Sequence, residues 1–211
     1  QRTVYAVPKM ENLSMTGTER CNTGDRQILG IFVPQNAFFQ ARTLSSGVEN
    51  NFEITFFTNN RMQNSFQSIH KSSSDYQKIA NFKNNTYLAG AVPLITSPRL
   101  SKEKVDVTYT IELSYDKSVQ PLDYYHYKDN QQEFVDAWTN SGNAFGVVDG
   151  EAMLVVVPFD DRDKLSNYRA AGYNAPFGSL DEFFEYYRTV LNRMDEGIGL
   201  SFDPTNAVDR Y

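Results

Sequence analysis

Val105-Asp-Val-Thr-Tyr-Thr-Ile-Glu-Leu113 alternates without a break. Val105, Val107, Tyr109, Ile111 and Leu113 are apolar, and Asp106, Thr108, Thr110 and Glu112 sit between them. A period of two places the first set on one face of a β-strand and the second on the other. One dry face and one wet face indicate an antiparallel sheet laid over a core. This stretch therefore predicts a β-rich protein.

The chain on either side agrees with it. Ile28-Leu-Gly-Ile-Phe-Val33 is a short apolar run closed by Pro34, as in a buried strand, and 37–43 is expected to be its antiparallel partner. Phe52, Ile54 and Phe56 share one face of 52–58, with Glu53 and Thr55 on the other, and Asn59-Asn60 supplies turn chemistry. The polar, Ser-rich stretch 63–74 reads as a loop. Gly90 and Pro93 mark 86–95 as a bent or edge strand. Asp149-Gly150 between the apolar runs 145–148 and 153–157 predicts a tight hairpin with positive φ at both turn positions.

Two helices stand out. Asn130 caps a short one, with Glu133 at its third position, Phe134, Val135 and Trp138 along one face, and Gly142 as its stop. Ser179 and Glu182 form a capping box for a second. Its apolar residues Leu180, Phe183, Phe184, Tyr187, Val190, Leu191 and Met194 recur at helical spacing, and Gly197 is placed as a C-cap. The expected fold is mainly β with a C-terminal α element: an antiparallel β-sandwich followed by an amphipathic helix. The expected organisation is an extended lead-in over 1–27, a sandwich domain over 28–158, and a loop and helix over 159–211.

Bulk composition narrows the function. The 211 residues are 40% hydrophobic, 22% charged and 14% aromatic, an ordinary globular balance with an aromatic excess that favours β-structure or a stacking surface. Net charge is −6, so phosphate-rich partners are repelled and nucleic acid is not an expected partner. No run of 18 apolar residues is present, so no helical membrane span is expected. The sequence opens at Gln1 rather than Met, which suggests a processed or trimmed chain and is compatible with secretion; the expected location is secreted or cell-surface.

Little catalytic chemistry is visible. Cys21 is the one cysteine, which excludes an intrachain disulfide. His70 and His126 are the two histidines, and neither belongs to an H-E-x-x-H pair of ligands. The sequence has no G-x-S-x-G elbow and no phosphate-binding glycine loop. Asp160-Asp161-Arg162-Asp163 lacks the glycine and closing glutamate of a calcium loop, and reads as a charged turn. No residue of the chain is thus expected to be catalytic or to bind metal. Tyr124, Tyr125, Tyr127 and Trp138 form an aromatic cluster with two readings: packing in a core or edge strand, or a substrate surface that stacks on sugar rings.

Several pieces fall in a particular order. They are Gly30-Ile-Phe-Val-Pro34, Phe56-Phe-Thr-Asn-Asn-Arg61, Gly150-Glu-Ala-Met-Leu-Val-Val-Val-Pro158, the helix 180–195, and Gly197-Ile-Gly-Leu200. This order resembles the enhancin family, the viral enhancing factors and their bacterial relatives, over roughly residues 26–205. The resemblance implies a zinc metallopeptidase acting on mucin-type glycoproteins. The sequence departs from the family at Tyr186-Tyr-Arg188, where the family often has Tyr-Asp, and it lacks the family's H-E-x-x-H and downstream Glu. Those ligands follow this region in the family, so the resemblance is to the non-catalytic N-terminal part alone. It implies zinc for the parent protein, none in this chain, and a downstream catalytic domain as partner. The expected function is to position a mucin-type glycoprotein and to support that catalytic domain. The alternative is a free-standing glycan- or protein-binding β-sandwich.

Overall fold

A computed structural model of the chain describes residues 1–8, 26–48, 51–57, 67–71, 75–80, 90–96, 98–100, 107–151, 153–166 and 177–198. Cys21, Val105, Asp106 and the Asn-rich turn after 57 lie outside them. The chain divides into two compact units, one holding Gln1–Val119 and the other Gln120–Phe202. This boundary falls inside the stretch 28–158 that the sequence reading treats as one sandwich.

The elements described in the first unit are all strands. Its strands are β1 (Arg2–Tyr5), β2 (Val7–Pro8), β3 (Arg26–Ile28), β4 (Ile31–Pro34), β5 (Phe38–Thr43), β6 (Phe52–Phe57), β7 (Gln67–Ile69), β8 (Gln77–Ala80), β9 (Gly90–Thr96), β10 (Arg99–Leu100) and β11 (Thr108–Ser114). One antiparallel sheet runs β1-β11-β5-β8, and a second runs β4-β9-β6-β7 with β3 also on β9. Strands β2 and β10 form a small parallel pair. Inward side chains of both sheets share one core that includes Val4, Ile31, Phe39, Phe52, Ile54, Phe56, Ile79, Ile95, Tyr109 and Ile111. Phe52 of β6 meets Tyr109 of β11 edge-on, with centroids 5.6 Å apart, and so joins the two layers. A two-layer antiparallel sandwich is what the alternating strands predict. Within β11, Tyr109 and Ile111 are buried, and Val107 and Leu113 pack at the core's margin.

Several expectations change. The run 28–33 is two strands, because Gly30 adopts φ +73 between them. Ile28 pairs with Leu94 and Val33 with Ala91, so five steps on one side face three on the other. Pro93, which has no N–H to donate, lies opposite that break, and its carbonyl accepts from Leu29 N at 3.2 Å. This is how a proline sits in β9, which is a central strand and not an edge. The stretch after β4 does not pair with it: Asn36 at φ +66 turns the chain, and β5 joins the opposite sheet. Thr55, on the face opposite Phe52, Ile54 and Phe56, is fully buried as well. Part of the expected 63–74 loop is strand β7.

The second unit carries β12 (Gln120–Pro121), β13 (Asp123–His126), α1 (Gln131–Ser141), β14 (Phe145–Asp149), β15 (Leu154–Pro158), a 3₁₀ turn at Phe159–Asp161, α2 (Arg162–Ser166) and α3 (Leu180–Ile198). Strands β13, β14 and β15 form a sheet in which β13 and β14 are parallel and β14 and β15 antiparallel. Parallel strands need a crossover, and α1 supplies it. Asn130 accepts from the backbone N of Gln132 and Glu133 at 3.0 and 3.2 Å, and Gly142 ends α1 at φ +66, as the capping pattern predicts. The charged run 160–163 is helical rather than a loop.

The face of this sheet that carries Tyr125, Val148 and Val157 is covered by Phe134, Val135 and Trp138 of α1 and by Leu180 and Phe184 of α3. The apolar stripe of α3 thus has its core in the second unit. Ser179 caps α3 through Glu182 N, while the Glu182 carboxylate accepts from Gly178 N. Gly197 lies inside the helix and does not end it.

Candidate functional site

The four aromatic residues do not form one surface. Tyr125 and Trp138 are core residues, 1% and 0% exposed. Trp138 stacks on Phe134, meets Phe159 edge-on, and donates Nε1–H to the Asn143 carbonyl at 2.8 Å. Both rings are enclosed in the core of the second unit. The Tyr125 hydroxyl donates to Asp181 Oδ1 at 2.6 Å, and burial together with that acidic partner raises its pKa well above the usual tyrosine value. Lys128, at φ +72, donates its backbone N–H to the same oxygen at 3.0 Å. Asp181 thus holds the N-terminus of α3 against the chain that follows β13, where its charge also favours the helix dipole.

Tyr127 is half-buried on that same side. Its hydroxyl donates to Glu185 Oε1 at 2.7 Å, which raises its pKa, and cations of Lys128 and Arg188 lie 4.8 and 5.4 Å from its ring centre. Tyr124 points to the opposite face of β13. It is half-buried and stacks on His126 at 5.7 Å, and His126 Nδ1 lies 3.6 Å from Asp149 Oδ2.

A second polar and aromatic surface covers the outer face of the sheet β1-β11-β5-β8. Phe38, Gln40 and Arg42 point outward from β5, because Phe39, Ala41 and Thr43 between them are buried. Arg42 pairs with Glu112 at 2.6 Å and lies 4.7 Å from the centre of the Tyr76 ring. The Tyr76 hydroxyl donates to the same carboxylate at 2.8 Å. Tyr76 and Arg42 together hold the Glu112 carboxyl below its usual pKa, and the Glu112 partner raises that of Tyr76. Lys78 holds its ammonium 4.0 Å from the Phe38 ring centre. Sequence reasoning missed this surface. The alternation 38–42 was available as a signal, but the register that sets β8 beside β5 was not.

The resemblance implies zinc for a parent protein and none in this chain. Among the described residues no three His, Cys, Asp or Glu side chains converge on one point. His70 belongs to the first unit and His126 to the second. In the acidic run after β15, Asp161 pairs with Lys164 and Asp163 with Arg162.

No protein-family model and no curated protein matches the chain. Solved structures do match. The catalytic module of the metalloprotease ZmpA from Clostridium perfringens is similar over 100% of this chain and 43% of its own, with a TM-score of 0.61 and 14% identity. The ZmpB metallopeptidase from Clostridium perfringens is similar over 89% of this chain and 38% of its own, at 0.59 and 10%. The M60 catalytic domain of Clostridium perfringens ZmpC, solved in complex with the sialyl T antigen, is similar over 89% of this chain and 38% of its own, at 0.55 and 8%. The chain thus shares the fold of part of these metallopeptidase modules and spans about two-fifths of their length.

Proposed function

We propose that this chain is the non-catalytic N-terminal part of an enhancin-like zinc metallopeptidase that acts on mucin-type glycoproteins. Its role is to position the glycoprotein and to support the catalytic part. One observation carries the reading: the whole chain superposes on less than half of a metallopeptidase catalytic module. The sequence has two histidines and no H-E-x-x-H, so the zinc ligands of the parent belong to residues other than these. Action on glycoproteins outside the cell makes the protein secreted or surface-held. Among the described residues no helix is long and apolar enough to cross a membrane.

The test is immunocapture from source cells with an antibody to this chain. The captured polypeptide is expected to contain an H-E-x-x-H peptide by mass spectrometry and to cleave mucin in a chelator-sensitive way. The purified 211 residues are expected to do neither. Zinc at one equivalent with chelator-sensitive cleavage by these residues alone overturns the non-catalytic assignment. Capture of a chain of 24.1 kDa and nothing larger favours the second reading, a free-standing glycan- or protein-binding sandwich. The exposed aromatic and cationic face of the first sheet is what speaks for that reading.

A further inference from the structure

The outer face of the first sheet places rings and cations in alternation. Gln40 pairs with Lys78 and Phe38 with Ala80 across β5 and β8, so Lys78 is the diagonal neighbour of Phe38. On the other side of β5, Arg42 pairs with Glu112. Arg42 is neutralised there, and Tyr76 completes the triad. Lys78 differs. Its ammonium is exposed and held by a ring, and among the described residues no carboxylate pairs with it. Phe38 and Tyr76 are 37% and 38% exposed, and Gln40 is the residue directly across from Lys78 in register.

We propose that Phe38, Gln40, Tyr76 and Lys78 form a binding site for an acidic sugar, a pyranose that carries a carboxylate. This deepens the glycoprotein reading above by naming the ligand class and the surface that takes it. The sugar's C–H faces rest on the exposed parts of the two rings, where they replace water. Its carboxylate meets the Lys78 ammonium in a charge-assisted hydrogen bond. The Gln40 amide can donate to or accept from a ring hydroxyl. The Phe38 ring holds the ammonium over this face before any ligand arrives, which lowers the entropy lost on binding. A single uncompensated cation suits one carboxylate, whereas a nucleic-acid backbone needs several. The competing account is that Lys78 only guards β8, the edge strand, against pairing with another sheet.

The two accounts separate in a titration. 3′-Sialyllactose and lactose are added to the chain at low salt, and amide shifts are followed by NMR. Sialyllactose is expected to saturate, with shifts centred on residues 38–42 and 76–80, and lactose to bind at least about tenfold more weakly. Lys78→Ala is expected to bring sialyllactose down to the lactose level, Lys78→Arg to restore most of the difference, and Phe38→Ala to weaken both sugars. Thermal melts of each variant check that it is folded, and Lys164→Ala, a cation in the second unit, is expected to change nothing. Equal binding of the two sugars overturns the proposal, and so does sialyllactose binding that survives Lys78→Ala in a folded chain. Shifts that saturate elsewhere on the chain overturn this surface while leaving the metallopeptidase reading to the immunocapture test.

Discussion

A methyl group added to Gly150 would lie 2.0 Å from a ring carbon of Phe184. That ring is buried in the second unit's core and cannot swing away. Gly150→Ala is therefore expected to destabilise the chain by about 1–3 kcal/mol in urea melts. The sequence marks this residue as a glycine needed for a tight turn, but Asp149 pairs with Leu154, and the positive φ falls on Glu151. The real constraint comes from a helix residue far along the chain, which no local pattern encodes. Tyr125 is a similar case: its aromatic neighbours in sequence hint at a surface, while its hydroxyl is spent on Asp181 inside. Its pKa is raised in the folded state, so its contribution is fully present below the unfolded value near 10.0 and is lost as pH rises beyond it. Tyr76 and Tyr127 are raised as well and add to the same alkaline limb. Stability against urea is expected to be flat with respect to these groups below pH 10 and to fall above it. Tyr125→Phe should make that fall shallower, and an unchanged slope would show that its hydroxyl is not protected in the folded chain.

At the scale of elements, legibility followed solvent. Strand β11 was readable because one face is dry and the other wet, and its inward residues Tyr109 and Ile111 are core. Strand β6 was half readable. Phe52, Ile54 and Phe56 point into the core as the alternation predicts, but Thr55 on the other face is buried too. Its Oγ1 has no hydrogen-bond partner among the described residues. A buried hydroxyl without a partner loses its hydration and recovers little. Thr55→Val keeps the shape and β-branching while removing that group, so a gain of up to about 1 kcal/mol in urea melts is expected. A loss would mean that an ordered water serves this hydroxyl. The partners of β4 and β5 were illegible for another reason. Both read as apolar strands joined by a turn, and only the backbone conformation at Asn36 sends them into different sheets. The candidate sugar surface depends on the same information, since it exists only once β8 is registered against β5.

At the scale of the whole molecule, the division between units left no mark in composition. No glycine- or serine-rich linker lies near 119–120, so the sequence reading carried the sandwich on to 158. Helix α3 shows what followed from that. Its periodicity was plain, but the surface it covers belongs to the three-stranded sheet of the second unit. The helix also has more apolar residues than that sheet uses. Leu180 and Phe184 are 0% and 2% exposed, whereas Tyr186 is 52% and Met194 62% exposed on the same helix. Burial, not hydrophobicity, should then decide the cost of substitution. Phe184→Ala removes a ring that packs on Gly150 and the sheet, and is expected to cost about 3–5 kcal/mol. Met194→Ser exposes no new surface, and is expected to stay within about 0.5 kcal/mol of the parent chain. It swaps a good helix former for a poorer one, so any small loss should be matched by Met194→Ala being neutral. Parallel urea melts of the three variants decide the matter. If Met194→Ser costs as much as Phe184→Ala, the far end of α3 is as much a part of the core as its start, and the helix is packed along its whole length.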